Sequence, residues 1–471
     1  MQPHYRVPVV PERLAPILAE TAELADRFIA AGKRLYLVGG SVRDLLLGAG
    51  MSGDFDFTTD ALPGEIKALL AGWVDAMWTQ GEKFGTIGAK RDGRVYEITT
   101  HRADAYTPDS RKPDVVFADV IEADLSRRDF TINAMALELG GTGGALPTLV
   151  DPFNGAVDLI EKRLRTPQSA DVSFTDDPLR MMRAARFIAR HGLAPTDDVL
   201  EAVARNRDRL SIVSNERIRD ELDKLITVPD PSAGLWFLVN TGLAAVFLPE
   251  LPAMQLEQDP IHQHKDVLAH TIAVVGNVTA EHRIVRLAAL FHDIAKPRTR
   301  SFGPNGVMFH HHEVVGARMT RDRMRTLKYS SDDVDRVGQL VFLHLRFHTY
   351  SMGWTDSAVR RYARDAGDLL DELNELTRCD CTTRNQRKAD MLSKRMDDLE
   401  QRIDELRHQE SLDAIRPDLD GVQVMERLHI GPGRAVGEAL NFLLELRMEE
   451  GPLGEEEAFQ RLDQWWVDRA K

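Results

Sequence analysis

Two aspartates, Asp54 and Asp56, stand two residues apart in a segment that alternates apolar and polar residues. Such alternation predicts a strand, and residues two apart on a strand project to the same face. Two carboxylates that close repel each other unless a cation lies between them. Carboxylate oxygens suit Mg²⁺, which binds one or two carboxylates together with substrate phosphates. The pair therefore predicts a Mg²⁺ site, while a solvated strand face is the alternative for Asp-x-Asp alone.

A paired glycine precedes these aspartates. Gly39 and Gly40 follow a short apolar strand at the start of a predicted helix, and Arg43 comes one turn later. Backbone N–H groups at a helix start favour anions such as a triphosphate, and an arginine adds a charge-assisted contact. A tight turn also explains two glycines. With two aspartates downstream, we expect Gly40 and Arg43 to bind a nucleotide.

An aspartate and three arginines recur every third residue further along the chain: Asp177, Arg180, Arg183 and Arg186. On a helix such residues share one face that drifts slowly around the axis. An aspartate accepts hydrogen bonds and an arginine only donates them. Together they match an amino group beside a ring-nitrogen acceptor, as in cytosine and adenine, whereas uracil and guanine would lose both contacts. The ladder predicts selection of C and A, with a salt-bridged solvated face as the alternative.

A third set contains histidines. His292-Asp293 ends an apolar helix, and His270 lies one helix earlier. Imidazole and carboxylate groups together suit transition metals. The set predicts a metal cluster in a second part of the chain.

The elements that must position these residues change character along the chain. Up to about residue 150, predicted helices (13–31, 41–47) interleave with predicted strands (34–40, 54–59, 86–90, 95–99, 135–139). This mixture indicates an α/β or α+β domain with one mixed sheet. After Pro152 the strand signals fade, and helices are predicted at 178–191, 197–209, 214–227 and 233–244.

The second half reads as helical. A histidine-containing helical region spans about 262–385, and residues 434–450 form a further helix after a glycine- and proline-rich stretch. Between them an apolar stripe repeats every three or four residues, which predicts one long amphipathic helix packed on its own chain, or a dimeric coiled coil. The stripe consists of Leu392, Met396, Leu399, Ile403 and Leu406.

Composition limits the class of protein. The 471 residues carry 60 Lys+Arg and 74 Asp+Glu, a net charge of −14, so RNA contacts would need local basic patches. Two cysteines, Cys379 and Cys381, exclude a disulfide framework. We expect no transmembrane helix, no signal peptide and a cytoplasmic location.

Six segments together resemble the tRNA nucleotidyltransferase and bacterial poly(A) polymerase family, the bacterial-type class II of the DNA polymerase β superfamily. In this chain, the glycine turn followed by the paired aspartates is similar to the signature of that family. The matching segments, in the family's order, are residues 37–48, 54–56, 127–136, 151–155, 177–187 and 216–222.

The resemblance implies roles for single residues. Asp177 and Arg180 would read the base of CTP or ATP, and Arg183 and Arg186 would contact ribose or phosphates. Arg128 would contact the nucleotide, and Asp129 would hold the sugar or brace Arg128. Asp54 and Asp56 would hold two Mg²⁺ ions. Apart from the resemblance, Glu97 lies on a later predicted strand, where it is either a third carboxylate or a partner in a cross-strand salt bridge. The family usually has Glu where this chain has Asp176, which puts the support of the base-reading pair in doubt.

The histidine set resembles the HD phosphohydrolase domain that some members of that family carry after the catalytic half. By that pattern His270, His292, Asp293 and Asp380 would be metal ligands, with His312 and His344 nearby. Asp380 is placed only by its order along the chain. A degenerate domain kept for packing or RNA docking is the alternative. Other histidines are expected to be bystanders: His262, His264, His310, His311 and His348.

The expected fold is α+β, a nucleotidyltransferase head with a mixed β-sheet followed by all-helical domains that include an HD domain. The domains are predicted as a head (1–150), a helical nucleotide- and RNA-binding domain (151–255), an HD domain (256–385) and a helical C-terminal RNA-binding region (386–471). The N–H groups of a Gly-Pro-Gly turn at 431–433 can contact a phosphate of the RNA backbone. A plain turn between helices is the alternative.

Three functions stay open. The first is addition of CCA to the 3′ end of tRNA from CTP and ATP. The second is poly(A) synthesis, or addition of only A or only CC. The third is a metal-dependent phosphohydrolase whose head merely binds nucleotide or RNA. A transition metal in the histidine set is a further expectation, and the sequence leaves the oligomeric state open.

Overall fold

The computed structural model describes residues 6–8, 14–48, 55–107, 110–143, 147–256, 266–303, 306–349, 355–383, 385–410 and 416–469. The chain divides into two compact units, Met1–Pro252 and Ala253–Lys471. Of the helices in the described ranges, none has the length and apolar composition needed to cross a membrane. The finer division into four domains stays a prediction.

The first unit is built on a mixed sheet. Within the described residues its eight strands follow the order β1-β10-β9-β2-β3-β6-β5-β4, in which β3 and β6 run parallel and the other neighbours antiparallel. A separate hairpin consists of β7 (Arg102–Thr107) and β8 (Ser110–Phe117). The sheet strands are β1 (Arg6–Pro8), β2 (Leu35–Val38), β3 (Phe55–Thr59), β4 (Ala76–Trp78), β5 (Thr86–Arg91), β6 (Arg94–Thr100), β9 (Ala136–Glu138) and β10 (Thr148–Val150).

Alternation along β3 explains how the sheet presents its polar residues. Phe55 and Phe57 are buried in the main core of the head, against α1 (Ala15–Ala30) and α3 (Pro63–Leu70). Asp56 lies between them and is exposed. Period-two alternation therefore turns Asp56 away from the main core, as the sequence predicts.

The other helices of the first unit hold the site. Two short helices of the head lie near the sheet, α2 (Gly40–Leu46) and α4 (Ile121–Ser126), and α5 (Gly155–Ile160) follows β10. A short parallel pair, β11 (Arg163–Leu164) with β12 (Ala194–Pro195), interrupts the helices after residue 152. The remaining helices are α6 (Ala170–Asp176), α7 (Leu179–His191), α8 (Asp197–Asn206), α9 (Asn215–Ile226), α10 (Ser232–Asn240), α11 (Ala244–Phe247) and α12 (Glu250–Ala253).

The second unit is mainly helical. Besides its helices, the described part of this second unit contains one hairpin, β13 (Arg300–Gly303) with β14 (Gly306–Phe309). The helices are α13 (Val267–Asn277), α14 (Arg283–Phe291), α15 (Lys296–Thr299), α16 (His312–Thr326), α17 (Ser331–Leu343), α18 (Arg346–Thr349), α19 (Asp356–Ala366), α20 (Leu370–Cys379), α21 (Gln386–Glu410), α22 (Gly421–Leu428), α23 (Arg434–Glu450) and α24 (Glu455–Arg469).

Helix α21 carries the apolar stripe. Met396, Leu399, Ile403 and Leu406 are at most 2% exposed, and α21 packs against α19 and α20. Four of the five residues of the stripe are thus buried within their own chain, as predicted, while Leu392 is partly exposed. The predicted helix at 434–450 coincides with α23.

Candidate active site and metal centre

The glycine turn joins β2 to α2. Gly39 has a φ of 71°, in the left-handed region that favours glycine. A Cβ built on Gly39 would lie 3.0 Å from Nη1 of Arg128, and one built on Gly40 would lie 3.4 Å from Nη2 of Arg43. The two glycines therefore let both arginines lie directly against the turn.

The carboxylates of the head lie on neighbouring strands. Asp56 of β3 stands opposite Glu97 of β6 in the parallel register. Both side chains are exposed, and paired strands lie about 4.8 Å apart. On its other side Glu97 faces Gly88, which has no side chain. Asp56 and Glu97 thus share a face that can hold a divalent cation, while Asp54 lies outside the described residues.

Asp129 connects the head to α7. Its Oδ2 accepts a hydrogen bond from Nε of Arg183 at 2.7 Å, and its Oδ1 accepts from Nδ2 of Asn133 at 3.0 Å and from the N–H of Phe130 at 2.8 Å. Burial alone would raise the pKa of Asp129, but the Arg183 charge and the Asn133 hydrogen bond outweigh it and lower the pKa to about 2. Asp129 is therefore an ionised, fully bonded anchor.

Asn133 extends this network to Arg43. Its Oδ1 accepts a hydrogen bond from Nη1 of Arg43 at 2.6 Å, and Nε of Arg43 donates to Asp44 at 2.9 Å. Arg43 is only 6% exposed, and its guanidinium lies over the Phe187 ring at 5.3 Å. A continuous chain of contacts thus runs from the glycine turn to α7, and it fixes Arg43 in place.

Arg128 is held by Asp124, a residue that the sequence analysis missed. Oδ2 of the fully buried Asp124 lies 3.2 Å from Nη2 of Arg128, and Oδ1 lies 2.6 Å from Nη2 of Arg127. Asp129 faces Arg183 instead, so the bracing expected of Asp129 at Arg128 belongs to Asp124. The four-residue spacing of Asp124 and Arg128 is the signal that could have found this pair.

Arg180, the first arginine of the ladder, is buried at 8% exposure. Its Nη1 donates to Oγ of Ser173 at 2.9 Å, and its Nη2 donates to the carbonyl of Arg127 at 2.5 Å. These bonds tie α7 to α6 and to the segment after α4. The ladder does not form a uniform face, because Arg180 points into the protein while the Arg183 side chain is 36% exposed.

Asp177 lies between α6 and α7 and pairs with a different arginine. Its Oδ1 accepts from the N–H of Leu179 at 3.2 Å, and its Oδ2 lies 3.4 Å from Nη2 of Arg217 in α9. The Arg217 side chain is 39% exposed and that of Asp177 is 23% exposed. An acceptor and an accessible donor therefore stand side by side. The sequence pattern predicts no role for Arg217, because no local spacing connects residues 40 positions apart.

The last arginine of the ladder packs on an aromatic ring. Nε of Arg186 donates to Oε2 of Glu221 at 2.8 Å, and its guanidinium lies 4.4 Å from the Phe187 ring centroid. Only 12% of the Arg186 side chain and 4% of that of Glu221 are exposed. Burial lowers the pKa of Arg186 although Glu221 opposes this, and the group stays a cation.

The segment at 151–155 is structural. The carboxylate of Asp151 accepts hydrogen bonds from the N–H groups of Gly155 at 2.7 Å and Ala156 at 2.9 Å. A Cβ on Gly155 would lie 2.1 Å from the carbonyl oxygen of Thr131. This segment therefore clamps α5 against the backbone that carries Asp129 and Asn133.

The second site gathers the residues predicted as ligands in the HD pattern. Nε2 of His270 lies 2.9 Å from Oδ1 of Asp380 and 3.3 Å from Nε2 of His292. Nε2 of His292 lies 3.2 Å from Oδ2 of Asp293. We call these four residues, together with His312 and His344, the histidine cluster. His270, His292 and Asp293 form its first group of candidate ligands.

Asp293 also belongs to a second group. Its Oδ1 lies 3.5 Å from Nε2 of His312 and 4.0 Å from Nε2 of His344. Within the described residues, all three of these atoms are buried and have no hydrogen-bond partner. Each group of three ligand atoms lies within 4.8 Å. His312 and His344, expected only nearby, therefore line a second cation-sized position.

The rings of the cluster are oriented by their other nitrogen. Nδ1 of His292, His312 and His344 each donates to a backbone carbonyl at 2.7–2.8 Å. This leaves the Nε2 lone pairs pointing inward, as in metal-binding histidines. Burial lowers the pKa of His344 to about 3, which keeps it neutral. The acceptors are the carbonyls of Ala289, Phe309 and Val341.

The remaining histidines lie outside both groups. His310 and His311 are exposed. His348 is half-exposed, with Nε2 3.8 Å from Oδ2 of Asp380, so it borders the cluster. His262 and His264 lie outside the described residues.

Comparison with known families matches three parts of the chain. The poly A polymerase head domain matches residues 35–165, the probable RNA and SrmB-binding site of polymerase A matches residues 192–254, and the HD domain matches residues 267–403. The first range contains the glycine turn and Asp129, and the third contains the whole histidine cluster.

Curated relatives match the chain in two ways. The CCA-adding enzyme of Geobacillus thermodenitrificans is 42% identical over 222 residues, 47% of this chain and 52% of that enzyme. The match thus spans about half the length of such relatives. The A-adding tRNA nucleotidyltransferase of Deinococcus radiodurans is 32% identical over 452 residues, 92% of this chain and 95% of that protein.

Solved structures share the fold along the whole chain. The Bacillus stearothermophilus CCA-adding enzyme in complex with CTP matches with a TM-score of 0.72 and 25% identity, covering 98% of this chain and 99% of that one. The Thermotoga maritima CCA-adding enzyme has a TM-score of 0.62 at 18% identity, covering 99% of this chain and 100% of that one.

Nucleotidyltransferases of this kind generally use divalent metal ions, and the face shared by Asp56 and Glu97 fits that requirement. The histidine cluster fits a metal as well. Because the match to the Deinococcus radiodurans protein extends over nearly the full length of both chains, this chain belongs to the tRNA nucleotidyltransferase and bacterial poly(A) polymerase family, with an HD domain in its second half.

Proposed function

We propose that this chain adds CCA to the 3′ end of tRNA, using CTP and ATP. The observation that carries the proposal is Asp177 beside an accessible arginine, at the start of the helix that the Asp129 network joins to the glycine turn. Relatives named CCA-adding enzymes and the solved CCA-adding enzyme in complex with CTP support the same activity.

In the proposed reaction the terminal 3′-hydroxyl of the RNA attacks the α-phosphorus of the nucleotide in line. A phosphorus–oxygen bond to the RNA forms as the hydroxyl proton passes to solvent, while the bond to pyrophosphate breaks and pyrophosphate leaves with the electron pair. Two Mg²⁺ ions at Asp54 and Asp56 supply activation of the hydroxyl and neutralisation of the triphosphate when bound. Glu97, in register with Asp56, is a further candidate ligand.

The protein's cations hold the nucleotide. Arg128 lies against the glycine turn, and we assign it a phosphate contact together with the N–H of Gly40. Arg183 and Arg186 face ribose or phosphates from α7. Asp129 positions Arg183 through its 2.7 Å hydrogen bond, and Arg43 positions α7 against the turn.

Asp177 reads the base. Its carboxylate accepts from the amino group that cytosine and adenine share, and an arginine donates to the neighbouring ring nitrogen. Arg180 was expected in the second role. In this structure Arg217 stands next to the carboxylate, while Arg180 already donates to Ser173 and to the Arg127 carbonyl. We therefore propose Arg217 as a second candidate donor.

Addition of A alone is the second candidate function. The A-adding tRNA nucleotidyltransferase matches along 92% of this chain, whereas the CCA-adding relative of higher identity matches along 47%. The pair at Asp177 serves both functions, because adenine and cytosine present the same edge.

A primer-extension assay separates the two. Three tRNA transcripts, ending before the CCA, after the first C and after CC, are incubated with CTP, ATP or both. CCA addition predicts extension of all three, with two C residues and then one A on the shortest. The A-adding function predicts extension only of the transcript that ends in CC. Long A tails would select poly(A) synthesis, and no extension of any transcript would reject the whole proposal.

We further propose that the histidine cluster binds a first-row transition metal, since its imidazole and carboxylate donors suit such ions. His270, His292, Asp293 and Asp380 would hold one ion, and Asp293, His312 and His344 a second. The metal would support hydrolysis of phosphate esters, as the HD family suggests. This is an addition to nucleotide transfer and does not replace it.

The location and partners follow from the same proposal. We place the reaction in the cytoplasm, with tRNA, CTP and ATP as partners. Cys379 and Cys381 are free thiols, which suits a reducing compartment.

A further inference from the structure

Trp78 continues the row of residues that contains the candidate metal ligands of the head. Asp56 of β3 stands opposite Glu97 of β6. Glu97 in turn stands opposite Gly88 of β5, and Gly88 stands opposite Trp78 of β4. Residues directly opposite each other on paired strands lie on the same face of a sheet. Trp78 therefore lies on the face of Asp56 and Glu97, on the edge strand of the sheet.

The indole of Trp78 lies over Gly88. A Cβ built on Gly88 would lie 2.0 Å from Nε1 of Trp78, so glycine is the residue that leaves room for the ring at this position. Gly88 is buried, while Trp78 is 36% exposed. Because Gly88 lies between Trp78 and Glu97 in the row, the ring extends from the edge strand towards Glu97. A flat aromatic surface is thus open to solvent beside a candidate metal ligand.

A cavity of about 480 Å³ joins this ring to Glu97, since both residues line it. Phe84 and Arg102 belong to the same lining, and Nη1 of Arg102 donates to the carbonyl of Phe84 at 2.8 Å. The volume lies within the range of about 300–1,000 Å³ that is usual for ligand sites. Aromatic rings stack with nucleobases, and arginines contact the phosphates of nucleic acids. The lining therefore suits one nucleotide of a nucleic acid.

The order of the strands indicates which nucleotide this is. On one side of the β3–β6 pair lies β2, which leads into the glycine turn, and on the other side lie β5 and β4. In the proposed function the triphosphate binds at the glycine turn. The attacking hydroxyl approaches in line, opposite the leaving pyrophosphate. The 3′ end of the RNA therefore reaches the metal ions from the side of β5 and β4, where Trp78 lies.

We propose that the 3′-terminal base of the RNA stacks on Trp78 before nucleotide addition. Stacking on an aromatic ring tolerates any base, because every base has a π-face. During CCA addition the RNA ends first in the base that precedes CCA and then in C, so a surface that reads no hydrogen-bonding edge accepts each of these ends. The inference rests on the proposed function, from which it takes the positions of the triphosphate and the metal ions.

Extension by ATP of a transcript that ends in CC tests this role, because both candidate functions include that step. Base stacking on an aromatic side chain changes affinity by about 5–150-fold, so Trp78→Leu should raise the KM for the RNA by a factor in this range. The KM for ATP should stay at the wild-type value. Trp78→Phe, which keeps a smaller ring, should fall between. The matched control is Leu62→Ala, an exposed apolar residue of the head that does not line the cavity, and it should match wild type.

A transcript whose terminal nucleotide lacks the base but keeps the ribose and the 3′-hydroxyl separates stacking from a structural role. Wild type should show a raised KM for this RNA, and Trp78→Leu should raise it no further. An equal loss on intact and abasic RNA would show that Trp78 only holds β4 in place, and it would overturn the proposal. A wild-type KM for intact RNA in Trp78→Leu would overturn it too. If Trp78→Leu proves unstable in urea, the same comparison with Trp78→Phe decides.

Binding without turnover keeps this inference distinct from the proposed function. A transcript that carries a fluorescent base analogue at its 3′ end loses emission when that base stacks on a ring. Without nucleotide or metal, wild type should quench the emission more strongly than Trp78→Leu does. Such a difference in a protein that extends no transcript would reject nucleotide addition and support the stacking site. Equal quenching by both forms, in a protein that does extend transcripts, would reject the stacking site alone.

Discussion

The hydrogen-bond network around Asp129 in the head and the histidine cluster are both buried polar assemblies. They differ in how many of their polar atoms have hydrogen-bond partners. Around Asp129 the carboxylate oxygens have partners at 2.7–3.0 Å. In the histidine cluster, Oδ1 of Asp293 and Nε2 of His312 and His344 have none within the described residues. The carboxylate of Asp129 thus has its partners within the protein, whereas these three atoms of the histidine cluster do not.

This difference separates positioning from binding. Buried polar atoms without a partner are costly, so three of them within 4.8 Å indicate that something else satisfies them. A fully bonded carboxylate such as Asp129 instead orients its neighbours. In the head, we therefore expect the exposed Asp56 and the partly exposed Asp177 to be among the groups that contact the metal or the nucleotide.

The largest test of this distinction removes an exposed carboxylate. Asp56→Ala should reduce nucleotide addition by about 1,000-fold or more, because loss of a metal ligand removes several kcal/mol of charge stabilisation. Single-turnover extension of a tRNA transcript measures the rate, and Asp54→Ala should behave alike. The control is Asp119→Ala, an exposed carboxylate of the head, which should keep the wild-type rate. A rate above about a tenth of wild type in Asp56→Ala would refute the metal assignment.

His101 offers a further test, because its buried nitrogen has no partner among the described residues and yet lies apart from the candidate metal ligands. His101 in the head is fully buried, with Nδ1 2.8 Å from Oγ1 of Thr58 and no partner for Nε2 in the described part of the chain. It belongs to neither group of candidate metal ligands found among the described residues. We therefore expect His101 to affect how the free energy of unfolding depends on pH and not to affect metal binding. Burial lowers the pKa of His101 to about 4, from an ordinary value of 6.5.

Between pH 6.5 and 4 the unfolded chain binds a proton that folded His101 refuses. Its contribution to the free energy of unfolding is thus fully present above pH 6.5 and is lost as the pH falls to 4, by on the order of 3 kcal/mol. Urea unfolding at pH 7 and pH 4.5 should show a smaller loss in His101→Phe than in wild type. Burial also lowers the pKa of His191 to about 4. The free energy of unfolding of His101→Phe should therefore still fall with pH, but less steeply than that of wild type. An unchanged slope in the variant would contradict the assignment.

Base selection tests the accessible edge of α7. In Asp177→Ala, the free energy by which the enzyme stabilises the transition state with CTP or ATP should fall by about 1.5–3 kcal/mol. This is the value of one charge-assisted hydrogen bond. UTP and GTP never make this bond, so discrimination should narrow by about 10–150-fold. The measurement is kcat/KM for all four nucleotides. An equal loss for all four would show that Asp177 only holds the helix.

Two arginine variants extend this test. If Arg217 supplies the donor, Arg217→Gln should narrow discrimination like Asp177→Ala while stability stays near wild type. Arg180→Gln should instead lower the free energy of unfolding, because it leaves Oγ of Ser173 and the Arg127 carbonyl without their donor. Lost discrimination in a stable Arg180→Gln protein would restore Arg180 as the reader.

Much of the head could be predicted because its signals are local. Alternation in β3 and the apolar run of β2 sufficed for those strands, and the three-residue spacing sufficed for α7. The strands that were missed include β4 and β10, three residues each, which are too short to show a period. The parallel register that sets Asp56 against Glu97 depends on the pairing of distant strands.

The candidate sites divide in the same way. Candidate ligands next to each other in sequence, such as His292 and Asp293, could be found from their pattern. Arg217 could not be assigned to Asp177, and the second group at His312 and His344 could not be separated from nearby histidines, because folding alone brings them together. Family resemblance supplied the order of such residues along the chain but not their contacts.

The smallest expected effect is a change of one ion per chain. If the unpaired atoms of the histidine cluster are ligands, wild-type protein loaded with Mn²⁺ and desalted should retain about two ions, one for each group. His344→Ala should retain about one, because it disturbs only the second group, and Asp293→Ala should lose both, since Asp293 belongs to each. Mass spectrometry of the metal gives the count, and His310→Ala, an exposed histidine outside the cluster, should match wild type. Nucleotide addition should be unaffected in all three variants, because the cluster and the head use separate ligands. Full retention of metal by Asp293→Ala would show that the unpaired atoms do not bind a cation, and the contrast between the two assemblies would then be one of packing alone.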